Sequence, residues 1–247
     1  MSAGASSRAP RQENALAWAL PALVLVGLIV RLVLVPNEGF KTDVDTFEAW
    51  AIALAEHGFA SFYGSTRFAD YPPGYLYILA IVGHVWEGLF KNRDGSGLAI
   101  KALVKLPAIV ADLGVGVLVY AVVRRFASAG IALGAAALYL FNPAVIYNSA
   151  AWGQVDSVAA GLALFAIYCF LRSDGPATAG KSERLDWWIV AGWLLIAYSL
   201  LIKPQAAVLL PLMLAFVFVD PARRRARVIA SAVGIAGAVL LALVITE

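Results

Sequence analysis

Residues 42–75 read TDVDTFEAWAIALAEHGFASFYGSTRFADYPPGY, the only long polar interval in a chain of 247 residues that is 62% hydrophobic. The interval follows an apolar run from about Ala15 to Val35 and opens with Asp43 and Asp45 at the start of a helix-like pattern. Phe47, Trp50, Ala51 and Leu54 recur at helical spacing, with Asp45, Glu48 and Glu56 on the remaining surface. That pattern predicts a short amphipathic helix lying in a membrane interface. Thr42 or Asp43 is placed to cap it, and the helix dipole favours a carboxylate in its first turn. Asp70-Tyr71-Pro72-Pro73-Gly74-Tyr75 then reads as a rigid extended turn that starts a second helix, Tyr75 to about Phe90.

Only 14% of the residues are charged and the mean hydropathy is +0.80, which excludes an ordinary soluble domain and points to an integral membrane protein. The first apolar run is about 20 residues long, suited to a retained span rather than to the core of a cleaved signal peptide. A single cysteine, Cys169, rules out a disulfide framework and a thiol-based metal site. The basic residues behind the net charge of +3 cluster at the ends of apolar runs. That is a topology signal, and no nucleic-acid partner is expected. His57 and His84 are isolated, and the chain has no glycine-rich phosphate loop, zinc spacing or serine-histidine constellation.

Residues 1–14, with Arg8, Pro10 and Arg11, read as a disordered cytoplasmic tail, and 15–247 as one transmembrane module whose first outer loop spans 36–100. In the polar interval that opens that loop, up to Tyr75, Glu38, Asp43, Asp45, Glu48, Glu56 and Asp70 outweigh Lys41 and Arg67. If the helix near 75–90 crossed the membrane, Arg124-Arg125, the loop with Arg172, Lys181 and Arg184, and Arg223-Arg224-Arg225 with Arg227 would all lie outside, against the positive-inside bias. A non-crossing helix places all three clusters inside. It also leaves Lys91, Arg93, Lys101 and Lys105 outside, where lipid phosphate or anionic headgroups are partners for them. The expected fold is therefore all-α: a polytopic membrane helix bundle of about seven spans, with two juxtamembrane helices in the first extracytoplasmic loop. The spans fall near 15–35, 102–123, 128–147, 155–171, 187–202, 206–219 and 228–245, with a tight break at Lys203-Pro204-Gln205.

This topology collects polar residues at the outer ends of the spans: Asp43, Asp45, Asp70, Asp112, Asn142, Asn148, Trp152, Gln154, Asp156, Lys203 and Gln205. Ionisable groups at membrane depth face a cavity or each other, so a water-filled, lipid-accessible cavity on the outer side is expected. Structural readings compete. The Asp-Val-Asp run and Asp156 are good helix caps, Lys203 can snorkel to the headgroups, and Asp112 can pair with a lysine such as Lys105.

The order TDVDTFEAWA, FY, DYPPGYLY, KLPAIVADL, NPAVIYNSAAWGQVDS and LIKPQ resembles the GT-C superfamily of membrane glycosyltransferases, nearest to bacterial relatives of the GPI-anchor mannosyltransferases. The resemblance implies transfer of a sugar, mannose first, from a polyprenyl-phosphate carrier to an acceptor hydroxyl at the extracytoplasmic face of the plasma membrane, with inversion at the anomeric carbon. It maps the family's first-loop aspartate, the general base, onto Asp43 or Asp45, with Asp43 preferred for its spacing to Phe47. It makes Lys203 the group nearest the leaving phosphate, with Lys101 and Lys105 second. Gln154 and Asp156 orient a sugar hydroxyl or hold the first loop, Tyr71 and Tyr75 stack on the sugar, and Asp70, Trp152 and Gln205 complete the substrate contacts. No cofactor is required, although an Asp-x-Asp pair is compatible with a divalent ion. No metal ligands are assigned, and the acceptor is left open.

Members of the superfamily are typically longer, so a missing C-terminal part is expected. Two other readings stand beside the enzyme. One is a transporter or flippase of a lipid-linked or anionic solute, although transporters place their sites near the bilayer midplane. The other is a non-catalytic membrane subunit.

Overall fold

A computed structural model describes residues 9–65, 69–92, 94–173 and 185–246. Arg8, Arg67, Arg93, Lys181 and Arg184 lie outside the described residues. Among those described there is no strand, and the chain is an all-α bundle. Helix α1 runs Ala9–Leu34, so the stretch expected as a tail is helical from Ala9 on.

The two helices expected to lie along the membrane are α2 (Lys41–His57) and α4 (Pro73–Leu89), joined through the short α3 (Phe59–Ser65). The predicted stripe, Phe47, Trp50, Ala51 and Leu54, is the buried face of α2, and Val44 extends it by one turn. It packs on Tyr75, Leu76 and Leu79 of α4. Pro72, extended at ψ 155°, caps α4, and Pro73 occupies its first turn, where a missing N–H costs nothing. At the far end Lys91 Nζ donates to Glu56 Oε1 at 2.8 Å and to Glu87 Oε1 at 3.1 Å, clipping the two helices together. Lys91 is thus engaged by carboxylates of the protein rather than left for headgroups.

Helix α5 (Ser96–Val123) is followed by α6 (Ala129–Leu140), capped by Ser128. The single span expected over 128–147 is instead broken. After Asn142-Pro143 the chain turns by 47° into α7 (Pro143–Ile146) and a π-helical turn, Tyr147–Trp152. Pro143 cannot continue the preceding hydrogen-bond ladder, and Asn142 Oδ1 accepts from Ala144 N at 2.9 Å to start the new one.

The rest is α8 (Asp156–Ser173), α9 (Trp187–Ile202), a 3-10 turn (Pro204–Leu209), α10 (Leu210–Val219) and α11 (Arg224–Thr246). These four helices share a second core built on Phe170, Trp193, Ile196, Met213, Val217 and Ala230. By length and composition Ser96–Val123, Asp156–Ser173 and Arg224–Val244 are each able to cross a membrane, and the bent pair adds a fourth if it counts as one span. Three shorter apolar helices, Trp18–Leu34, Trp187–Ile202 and Pro204–Val219, lie where further spans are expected.

Candidate active site

Asp43 sits in the first turn of α2, but it does not cap the helix. The N-cap is Phe40, with no side-chain cap bond. The Asp43 carboxylate turns away and accepts from Trp152 Nε1 at 2.9 Å and from Gln154 Nε2. Those two donors are aimed by the end of the π-helical turn. Gly153, at φ +88°, stops the helix, while the amides of Gly153 and Gln154 both close onto Asn148 O at 3.1 and 2.9 Å. A side chain at position 153 would strike Val44 Cγ2 at 2.9 Å, so only glycine lets the turn lie against α2.

The same Gln154 amide reaches the proline break. Its Oε1 accepts from Lys203 Nζ at 3.4 Å, and Lys203 also forms an ion pair with Asp156 in the first turn of α8. Asn148 Nδ2 donates to Asp156 Oδ2 at 3.3 Å. The ammonium lies 5.4 Å from the centre of the Tyr71 ring. Tyr71 is carried there by α4, whose start abuts α9: Tyr198 OH donates to Gly74 O at 3.0 Å. Burial works against the Lys203 charge, but the Asp156 hydrogen bond and Tyr71 outweigh it and hold the ammonium above its ordinary pKa. Lys203 therefore stays charged throughout the neutral range. One amide thus links a carboxylate to a fixed cation.

A cavity of about 590 Å³ opens beside this group, with Asp156, Lys203 and Gln205 at its polar part and Leu164, Ile167, Val208 and Leu209 among its apolar walls. Asp70 and Gln205 are exposed. Asp45 is exposed as well, and two residues apart on a helix it does not face the same way as Asp43, so the two do not form a chelating pair.

Three expectations change. Tyr75 is fully buried, its ring edge-on to Phe47 at 5.3 Å, and has no face left for a sugar. Lys105 is also fully buried and donates only to backbone carbonyls, so it is not a phosphate ligand; Lys101 lies one turn before it on α5, its charge felt by Glu48. Asp112 neither lines the cavity nor pairs with Lys105. It is buried against Arg31 Nε at 3.2 Å, and Tyr139 OH and Ser149 Oγ complete its partners. Arg31 also donates to Gly27 O and Leu140 O. This network ties α1, α5 and α6 to the π-helical turn beneath Trp152. Arg31 was findable: an arginine inside an apolar span needs a partner at depth.

Glu48, between Asp45 and α5, has a buried Oε1 with no hydrogen-bond partner. Burial pushes its carboxyl above the ordinary value, with Lys101 opposing. A carboxyl raised on folding destabilises the fold when ionised, and the penalty fades as pH falls through the raised pKa. Glu48→Gln is therefore expected to raise the melting temperature modestly at neutral pH, with the gain vanishing in acid; thermal unfolding of both forms across pH measures it.

The composition and the apolar helices together define an integral membrane protein of the helix-bundle type. Over residues 70–247 the chain matches the model of the dolichyl-phosphate-mannose-protein mannosyltransferase family. It belongs to that family, and is thus a membrane glycosyltransferase of the GT-C type. The GT-C resemblance read from the sequence is upheld. The match takes in Asp70, Tyr71, Trp152, Gln154, Asp156 and Lys203 and begins after Asp43. No curated protein and no solved structure matches the chain.

Proposed function

We propose that the protein transfers mannose from a polyprenyl-phosphate donor to an acceptor hydroxyl, with Asp43 as general base. The observation that carries this reading is the Gln154 amide, which holds the Asp43 carboxylate and the Lys203 ammonium in one group. The acceptor oxygen attacks the anomeric carbon as its proton passes to Asp43. The bond to the phosphate oxygen breaks on the opposite side, and its electron pair leaves on the phosphate beside Lys203. A single displacement of this kind inverts the anomeric centre.

A positioned base supplies about 10²–10⁴-fold. Tyr71 stacks on the sugar, Asp70, Asp156 and Gln205 meet its hydroxyls, and the adjoining cavity takes the first units of the prenyl chain. The reading requires no cofactor. It places the site on the extracytoplasmic side of the plasma membrane, with a cytoplasmic N-terminus, about seven spans, and α2 and α4 lying along the membrane.

The test is label transfer in proteoliposomes from radiolabelled mannosyl polyprenyl phosphate. Serine- and threonine-containing peptides are the first acceptors, because the family is described by its protein acceptors, and oligomannose is the second. Label should move from the lipid donor and not from a nucleotide-linked mannose. Direct use of the nucleotide sugar would refute the reading. Lys203→Met should lower kcat by about 10²-fold or more, as loss of a charge stabiliser at the leaving group does.

A further inference from the structure

We propose that Lys105 is a positioning residue for this site: its ammonium fixes the register between the loop that carries Asp43 and the turn that carries Trp152 and Gln154. Its kinetic consequence rests on the transfer reading above; its structural content does not.

The side chain is 0% exposed. From α5 it donates to Val35 O at 3.2 Å, Asn37 O at 2.6 Å and Ala151 O at 3.3 Å. An ammonium has three N–H donors and no acceptor, so three carbonyls satisfy it. Two of them belong to the segment that leaves α1 for α2, and the third to the π-helical turn. The two segments meet backbone to backbone. Phe40 N donates to Trp152 O at 3.1 Å, and a Cβ at Gly39, at φ +76°, would lie 2.7 Å from Trp152 O and 2.9 Å from Ala151 O. Gly153 closes the other side, its missing Cβ 3.4 Å from Lys105 Cγ.

Three carbonyl oxygens that converge in a buried space repel one another unless a donor stands between them. Without the ammonium each is left desolvated and unpaired, and the segments part to regain water. Asp43 stands in the first turn of α2, directly after the first segment, and its two donors at and just past the end of the other, so the catalytic hydrogen bonds depend on a residue that touches neither substrate nor base.

The test uses the full chain in nanodiscs, with Lys105→Met and Lys105→Arg. Lys105→Met should speed amide deuterium exchange about tenfold or more in peptides covering 35–44 and 148–155, while peptides from α8 and α9 are unchanged. kcat should fall about 10- to 100-fold with the donor KM little altered, the size expected for a lost charged hydrogen-bond set. Combined with Gln154→Ala, the double variant should be no slower than the slower single one, because both substitutions break the same alignment. Lys105→Arg keeps the charge, but its planar fork does not fit three carbonyls around one point. It should show the same pattern in milder form, and it carries the comparison if Lys105→Met does not fold. Unchanged exchange in both peptides, or losses that multiply in the double variant, would overturn the proposal. A wild-type chain without transfer activity would refute the function instead, and the exchange comparison would still decide the role of Lys105.

Discussion

Asp43→Asn is expected to lower kcat by about 10³-fold, within the range for loss of a general base, while leaving assembly intact. The amide is the same size as the carboxylate, and its oxygen still accepts from Trp152 Nε1, now 2.9 Å from the Asp43 oxygen. It cannot take a proton. Asp45→Asn should change kcat only a few-fold, since Asp45 is exposed on another side of α2. Steady-state transfer, with size-exclusion profiles of the same preparations, separates the two aspartates. Equal losses from both would mean that the Trp152 and Gln154 contacts do not mark the base.

The second large effect is on stability. Arg31→Met should destabilise the protein by about 3–5 kcal/mol, as breaking a buried ion pair does. It leaves the Asp112 carboxylate buried with only the Tyr139 and Ser149 hydroxyls. Arg31→Met combined with Asp112→Leu removes both charges and should recover most of that loss. Unfolding of the purified variants in detergent by thermal or denaturant titration measures the difference. A single variant as stable as the wild type would show that the pair does not hold α1 to α5.

The fold was legible because apolar runs and the 47-50-51-54 stripe obey simple periodicity, and because Pro72-Pro73 fits the start of a helix and not its interior. Helix ends and kinks were less so: Asn142-Pro143 reads equally well inside a span or as a break, and here the chain bends by 47° at it. In the site, the polar residues of WGQVDS, one of the first-loop aspartates and the lysine before Pro204 were legible as a group. The choice between Asp43 and Asp45 was not, since a two-residue spacing reverses the direction a side chain faces on a helix, and only the position of Trp152 decides which one is met. Tyr75 and Lys105 were misplaced for one reason. A tyrosine or lysine near a membrane surface looks the same in sequence whether it faces a ligand or closes a knot of backbone. Arg31, Tyr139 and Ser149 went unread because a buried network is a property of several helices at once.

The most direct test of the central claim, a carboxylate at position 43 acting as base in one displacement, is the anomeric configuration of the first product. Single-turnover transfer from anomerically pure mannosyl polyprenyl phosphate, with the product examined by NMR, should give the opposite anomer without accumulation of mannosylated protein. Retained configuration, or a mannose covalently trapped on Asp43, would contradict the account.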